Sequence, residues 1–239
     1  MKILDLIKRK LKKYLFYKWN PKWKYFRETA ICKKKWYGNN YGGLYLCPDF
    51  LNSKSVVYSF GIGEDISFEN NVIKEHNCFV YSFDPTPKSI IWMKKQKLNK
   101  KHSFHPYGIG IETGNVDFFL PNNKKHTSGS YVLQTNVSKK NKIKVDLKSL
   151  LDIKDLLDHK KINVLKMDVE GAEYEILLSL NFKVLDIDQI VVEFHNRMFD
   201  AGTQMSKEVI NKLKLNGFEI FGVSDTFEEI SFININLIK

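Results

Sequence analysis

The chain reads VLKMDVEGAE at residues 164–173. An apolar run of strand length, residues 162–167, is followed at once by Asp168, and a helical pattern that opens with Glu170 and Glu173 comes next. A strand that leads directly into a helix is the repeating unit of a parallel α/β sheet. Acids at a helix start offset the helix dipole by about 0.3–1 kcal/mol each. This accounts for Glu170 and Glu173 more easily than for Asp168, which is therefore a candidate functional residue.

The same alternation of strands and helices continues along the chain. Further strands are predicted at residues 56–60, 78–83, 104–109, 116–120, 187–194, 218–223 and 230–235. Helices are predicted at residues 88–98, 147–157, 172–180 and 206–215. We expect a mostly parallel sheet with helices on both faces. The strand at 116–120 is predicted to form a hairpin with 104–109, and the last two strands an antiparallel pair. Residues 38–54 and 121–142 are predicted loops, the second a candidate lid.

Length and composition limit the class of protein. The chain has 239 residues, 43% of them hydrophobic, enough for one large domain with a sizeable core. No stretch approaches the roughly 20 apolar residues that cross a bilayer. The three cysteines show no metal-binding spacing and are odd in number, which favours a reduced, cytoplasmic setting. We expect a domain over residues 51–239, preceded by an extension over residues 1–50.

The basic charge lies at one end of the chain. Residues 1–35 hold thirteen Lys or Arg and two acids, which accounts for the whole net charge of +11. Apolar residues recur there at helical spacing with lysines opposite, and aromatic residues follow. A basic amphipathic helix can lie on an anionic membrane surface, here its inner face, or pack against the domain or a sister subunit. RNA binding is a weaker third hypothesis for this segment, because a lysine run alone is unspecific. The rest of the chain is neutral, and no nucleic-acid partner is expected. The oligomeric state stays open.

Two glycines follow the strand at 56–60. Gly61 and Gly63 allow a sharp turn and the close approach of a ligand. Asp84 ends the next predicted strand, 21 residues beyond Gly63. An acid at this place can accept hydrogen bonds from both hydroxyls of an adenosine ribose. The pattern therefore predicts a cofactor that contains adenosine.

The residues after the glycines distinguish between adenosine cofactors. Ile66 stands where a dinucleotide site has a third glycine. Glu64 and Asp65 would repel a pyrophosphate at the helix start. They suit the sulfonium and ammonium of S-adenosylmethionine, which has no phosphate, although both acids can also serve as simple helix caps. The charges thus favour a methyl donor over NAD.

These segments together resemble one known family. The stretch KMDVEGAE at 166–173 is similar to the signature of the FkbM-type methyltransferases. VYSFGIG at 57–63, VYSFDP at 80–85 and VVEFH at 191–195 are similar to the branch related to methyltransferase-like protein 24. The resemblance runs from about residue 56 to about residue 236, and it implies a Rossmann-like class I methyltransferase fold with a seven-stranded sheet. It also implies S-adenosylmethionine as cofactor and usually O-methylation, of substrates that include sugars.

This chain departs from the common class I pattern in two places. Ser59 stands where most of these enzymes carry an acid in the first strand, and Asp65 where many have a third glycine. Both differences concern the placement of the methionine moiety. Contacts with the cofactor are expected from Phe60, Gly61, Ile62, Gly63, Glu64, Asp84, Pro85, Gly108 and Asp168.

The catalytic candidates lie at neighbouring strand ends. Methyl transfer to a hydroxyl needs an aligned nucleophile and a base. His195 ends the fifth strand of the parallel series and titrates near neutrality, so it is the candidate general base. Glu193 faces the same side by strand alternation and is the candidate that orients the imidazole. Asp168 can hold the methionine ammonium, the substrate, or a divalent metal together with Glu193, His195 or Asn196. Contacts with the substrate are expected from Glu170, His126 and Asn196.

The sequence favours one function and leaves two others open. The favoured function is S-adenosylmethionine-dependent O-methylation of a sugar, a glycan or another small hydroxylated substrate. A non-catalytic nucleoside-binding module of the same fold gains slight support from Ser59, but Asp84, Asp168 and His195 oppose it. An NAD-dependent oxidoreductase is opposed by the missing third glycine and by the acids at the turn.

Overall fold

A computed structural model describes residues 21–40, 42–123 and 127–239, together with Lys8, Leu11, Leu15 and Lys18, which are helical. Most of the predicted amphipathic helix, and also His126, lie outside these described residues. Contact of residues 1–35 with a membrane therefore stays a prediction. Within the part of the chain that is described, no helix is long and apolar enough to cross a membrane.

The described strands are β1 (Lys35–Tyr37), β2 (Leu44–Leu46), β3 (Val56–Phe60), β4 (Phe79–Phe83), β5 (His102–His105), β6 (Gly108–Ile109), β7 (Gly114–Pro121), β8 (Val137–Lys148), β9 (Lys161–Met167), β10 (Asp186–Glu193), β11 (Phe218–Val223) and β12 (Glu229–Asn234). The helices are α1 (Ser67–His76), α2 (Pro87–Met93), α3 (Leu150–Leu156), α4 (Glu173–Ser179) and α5 (Gly202–Leu215). Short 3-10 turns are formed at Pro21–Phe26, Pro48–Phe50, Asn196–Met198 and Ile235–Leu237.

The central sheet has seven strands in the order β11-β12-β10-β9-β3-β4-β5. β12 runs antiparallel to β10 and β11, and the pairs from β10 to β5 are parallel. The predicted seven-stranded, mostly parallel sheet and its terminal antiparallel pair are confirmed. The chain moves from β3 to β4 and β5 on one side and returns through β9 and β10 on the other. Ligands of such sheets bind at this switch point, outside the carboxyl ends of β3 and β9.

Both faces of the sheet are buried. Tyr58, Leu165 and Ile190 point to one face, where they share a core with residues of α3, α4 and α5. Their neighbours along the strands point to the other face, under α1 and the β1–β2 hairpin. This alternation with a period of two explains why the strands are apolar nearly throughout, as is typical of parallel sheets.

The predicted extension joins the domain core from Phe26 onward. Phe26 is fully buried, and its ring centroid lies 6.3 Å from that of Phe194. The backbone N–H of Ala30 donates to the carbonyl of Ile220 at 2.9 Å. Cys47 exchanges two hydrogen bonds with the side chain of Gln189 in β10, of 2.8 and 3.0 Å. The predicted loop at 38–54 therefore contains strand β2 and a 3-10 turn that pack on the sheet.

The segment after β5 differs from the sequence prediction. The predicted strand at 104–109 is divided between β5 in the central sheet and β6 in a second sheet of order β6-β8-β7. The partner of β7 is β8, and not the 104–109 segment. β8 also includes the end of the predicted loop at 121–142, and α3 begins only at Leu150, where Ser149 Oγ accepts from Asp152 N. The lysines of β8 conceal the strand, because Lys142 and Lys144 face solvent and pair with Asp117 across the ladder.

We expect His102, in strand β5 of the central sheet, to make the stability of the protein dependent on pH. Its ring is 5% exposed, and its Nε2 shares a hydrogen bond of 2.8 Å with Ser82 Oγ. Burial lowers the pKa of His102 from 6.5 to about 4. Because the folded pKa lies below the unfolded one, the unfolded chain takes up the proton first, and stability falls as the pH drops from 6.5 towards 4. We expect this residue to cost roughly 2 kcal/mol of unfolding free energy between pH 7 and pH 5.

Urea unfolding of the wild type and of His102→Gln at the two pH values measures this contribution. The variant should lose less stability on acidification, by that amount. An equal loss in both proteins would contradict the assignment of the pH dependence to His102.

Candidate active site

A glycine turn after β3 crosses the end of β9. Gly61 has φ +74°, and a Cβ placed there would lie 1.6 Å from the carbonyl oxygen of Asp168. The N–H of Gly61 donates to Phe83 O, and that of Asp168 donates to Phe60 O, both at 3.0 Å. Only glycine can adopt this conformation so close to another backbone. The turn therefore fixes the ends of three neighbouring strands against each other.

Asp84 holds the turn in place. Its Oδ2 accepts from the N–H groups of Ile62 and Gly63 at 3.2 and 3.0 Å, and its Oδ1 accepts from Thr86 N at 2.8 Å. Burial raises the pKa of Asp84, and hydrogen bonds from Thr86 and Gly63 oppose the rise. The carboxylate that the sequence analysis assigns to the ribose thus also organises the loop that forms the predicted cofactor site.

A buried polar group supports the turn from the other side. Lys166 Nζ donates to the carbonyl of Gly61 at 2.9 Å. Ser59 Oγ donates to Glu69 Oε1 at 2.5 Å, and Glu69 is 1% exposed. Burial raises the pKa of Glu69, and the charge of Lys166 opposes the rise. Glu69 thereby brings a carboxylate next to Ser59, the position that carries an acid in most class I enzymes. Sequence reasoning missed it because it comes from α1.

A cavity of about 350 Å³ opens at the switch point. This volume is within the usual range for small-molecule sites. All nine residues predicted to contact the cofactor line it: Phe60, Gly61, Ile62, Gly63, Glu64, Asp84, Pro85, Gly108 and Asp168. Glu170, predicted to contact the substrate, also lines it.

The opposite wall of the cavity comes from residues that sequence reasoning did not select. Phe118 of β7 and Leu147 of β8 are apolar wall residues. Residues 127–131, within the candidate lid, also line the cavity, and a Cβ on Gly63 would lie 3.3 Å from Thr127 Oγ1. The lid segment thus rests on the glycine turn. His126, which precedes it, lies outside the described residues.

His195 is held by Glu173 at the end of β10. The imidazole is 1% exposed, and its Nδ1 lies 3.2 Å from Glu173 Oε1. The same oxygen accepts from His195 N at 2.9 Å, and Glu173 Oε2 accepts from Gly171 N at 2.8 Å. Glu173, fully buried, therefore orients the ring, which corrects the prediction that Glu193 does so. Glu173 is an acid within the signature stretch of the sequence. At the start of a helix, however, an acid that orients a histidine has the same sequence pattern as one that only offsets the helix dipole.

Three carboxylates face the other ring nitrogen. His195 Nε2 lies 3.7 Å from Asp168 Oδ1 and 3.6 Å from both Glu170 Oε2 and Glu193 Oε1. The structure thus brings together the three predicted catalytic residues, Asp168, Glu193 and His195. Asp168 lines the cavity, as does Glu170, whereas Glu193 and His195 do not. Asn196 begins the turn after His195 and is not part of the cavity wall.

The charges in this cluster shift the pKa values of its members. Burial raises the pKa of Glu193 to about 8, assisted by the charge of Asp168. Burial lowers the pKa of His195, but the carboxylate of Glu173, followed by those of Asp168 and Glu170, outweighs it and raises the pKa to about 10. The surrounding carboxylates therefore favour the protonated ring over the neutral ring, and a general base requires the neutral form.

The sequence of residues 56–220 matches the family model of the FkbM methyltransferase domain. The chain belongs to this family. The match covers more than half of the chain, and it includes the glycine turn, Asp84 and the whole cluster around His195. No curated protein matches this FkbM methyltransferase chain.

Three solved structures share features with the chain at low identity. The Methanococcus jannaschii fibrillarin pre-rRNA processing protein is 14% identical, over 76% of this chain and 67% of its own, with a TM-score of 0.45. Aeropyrum pernix fibrillarin, in complex with natively bound S-adenosyl-L-methionine, is 10% identical over 87% and 85%, with a TM-score of 0.42. M. jannaschii TYW2 in complex with AdoMet is 10% identical over 86% and 89%, with a TM-score of 0.34. The fold assignment of the FkbM domain rests on its own strand order.

The crossing of the glycine turn over β9 leads to a test by substitution. Gly61→Ala should lower the free energy of unfolding by at least about 3 kcal/mol, because the new methyl group collides with a backbone carbonyl at positive φ. Gly114→Ala is the matched control, since a Cβ there meets nothing within 4 Å. Its effect should stay within about 1 kcal/mol. Urea unfolding of both variants checks the difference, and similar losses would contradict the close approach.

Proposed function

We propose that this FkbM domain transfers the methyl group of S-adenosylmethionine to a hydroxyl group of a sugar, a glycan or another small hydroxylated molecule. The observation that carries the proposal is the cavity at the switch point. Its wall includes the glycine turn together with the adjoining Asp168 and Glu170, so a cofactor seated on the turn would lie beside these acids.

The walls of the cavity suit S-adenosylmethionine better than a dinucleotide. Asp65 Oδ1 accepts from Ser67 N at 2.9 Å, so a carboxylate already occupies the start of α1, where a pyrophosphate would bind. Glu64 and Asp168 add negative charge, which favours a sulfonium and an ammonium. The apolar surface of Phe118 and Leu147 offers an adenine ring a place to pack.

Transfer to a hydroxyl requires an acceptor for one proton. The hydroxyl oxygen attacks the methyl carbon, the carbon–sulfur bond breaks, and its electron pair stays on sulfur to give S-adenosylhomocysteine. We assign the proton to Glu170, because its carboxylate lines the cavity with 20% of the side chain exposed, whereas His195 is enclosed. The backbone of Glu170 has φ +52°, an uncommon conformation for a non-glycine residue that is often found at functional sites.

Isothermal titration tests the choice of cofactor. The wild type should bind S-adenosylmethionine and S-adenosylhomocysteine, and not NAD. Asp84→Asn should weaken both by at least about tenfold, because it removes a charge-assisted acceptor from the turn and the ribose. Asp155→Asn, an exposed acid on α3, is the control and should bind like the wild type. Binding of NAD alone, or of none of the three ligands, would overturn the proposed cofactor.

Turnover tests the role of Glu170. We expect Glu170→Gln to keep its affinity for S-adenosylmethionine and to lose about 10²–10⁴-fold in the rate of S-adenosylhomocysteine formation, the usual contribution of a general base. The rate is measured by chromatography with pooled sugars and polysaccharides as acceptors. A variant as fast as the wild type would exclude Glu170 as the proton acceptor.

A further inference from the structure

We propose that Asp168 Oδ1, Glu193 Oε1 and His195 Nε2 form a binding site for a divalent cation, Mn²⁺ or Mg²⁺, beside the cofactor cavity. Three such ligand atoms, one from each residue, lie within 4.8 Å of one another. The site deepens the proposed function, because the cation would hold the hydroxyl that is to be methylated. The binding of the ion itself does not depend on that function.

The spacing of the three atoms fits ligands of one ion. His195 Nε2 lies 3.7 Å from Asp168 Oδ1 and 3.6 Å from Glu193 Oε1, too far for hydrogen bonds. Metal–ligand distances of about 2.1–2.2 Å with angles of 90–120° place neighbouring ligand atoms roughly 3.0–3.8 Å apart. Both separations from Nε2 fall in this interval, and ligand atoms of the three residues all lie within 4.8 Å of one another.

The imidazole supplies an observation independent of the acids. The ring is 99% buried, since its exposure is 1%, yet Nε2 points at the carboxylates without a hydrogen bond within the described residues. Its other nitrogen donates to Glu173 Oε1 at 3.2 Å, and this bond assigns the proton of a neutral ring to Nδ1. A carboxylate behind a histidine, with the second nitrogen left for the ion, is the usual outer arrangement of metal-binding histidines.

The charge balance of the cluster calls for a cation. Four carboxylates surround the ring: Asp168, Glu170, Glu173 and Glu193. Arg197 lies 3.8 Å from Glu193, but its other guanidinium nitrogen is engaged by Glu228 at 2.5 Å. Acidic side chains therefore outnumber basic ones in this largely enclosed place, an arrangement that a bound cation would stabilise.

The donor set selects the kind of ion. One imidazole and two or more carboxylate oxygens, with no thiolate, suit Mn²⁺ and Mg²⁺ better than the softer metals. Because Asp168 also lines the cavity, the free coordination positions would open towards it. A substrate hydroxyl bound there would lose its proton more readily, and Glu170 stands within the same wall to accept it.

Titration of the EDTA-treated full chain with Mn²⁺, followed by the electron paramagnetic resonance signal of free Mn²⁺, tests the site. The wild type should bind one ion per chain, and Glu193→Gln and His195→Asn should each weaken binding by at least about tenfold. Glu173→Gln should weaken Mn²⁺ binding by about 10–100-fold, because Glu173 orients the imidazole of His195. Glu229→Gln is the matched control, because Glu229 lies opposite Glu193 in the β10–β12 ladder, outside the ligand set. It should bind Mn²⁺ within about threefold of the wild type.

The same preparations are titrated with S-adenosylmethionine, which separates this proposal from the proposed function. A folded wild type that binds S-adenosylmethionine but no stoichiometric Mn²⁺ overturns the cation site alone. Binding of Mn²⁺ without S-adenosylmethionine supports the cation site and overturns the proposed cofactor. Thermal unfolding confirms that each variant is folded, and Asp168→Asn replaces any variant that is not. Equal Mn²⁺ affinity in the ligand variants and in Glu229→Gln overturns the site.

Discussion

The contact of Gly61 with the carbonyl of Asp168 is the constraint on which the site depends. It leaves no room for a Cβ, so the turn after β3 packs backbone against backbone on the end of β9. Gly61, on one side of the contact, lines the cavity. Asp168, on the other side, is one of the acids that surround His195. A single backbone approach thus places the predicted cofactor and the predicted chemistry at a fixed separation, as a reaction that needs in-line alignment requires.

Buried polar groups maintain this contact from both sides. Asp84 ties the amides of Ile62 and Gly63, and Lys166 ties the carbonyl of Gly61, while Glu69 supplies the counter-charge for the lysine. Each of these groups would be expensive to bury alone, and the hydrogen bonds that they make to the backbone and to Ser59 offset the cost. Asp84, Lys166 and Glu69 therefore support the turn from three different segments of the chain. Glu69 of α1 supplies a carboxylate beside Ser59, where β3 itself has no acid.

The sequence predicted the parts of the molecule in which local pattern and tertiary role agree. The apolar strands and the polar residues at their ends follow from burial on both sheet faces, and all nine predicted cofactor contacts line one cavity. β8 was missed because its lysines are paired across a ladder that periodicity cannot reveal. Glu69 and Glu173 were missed for a similar reason, since an acid in the first turn of a helix has the same local pattern whether it is solvated or completely buried.

The position of His195 shows why strand-end location alone could not assign its role. A neutral histidine at a strand end is a suitable base, but here one nitrogen is bound to Glu173 and the other faces three carboxylates. These acids stabilise positive charge at Nε2, whether it is a proton or a metal ion, and so remove the lone pair that a base needs. With either a proton or a metal ion at Nε2, the imidazole stabilises the surrounding charges and does not accept the proton of the substrate. The reactive proton then has to pass to a carboxylate that reaches the cavity, and of the three that face Nε2, Asp168 and Glu170 do so.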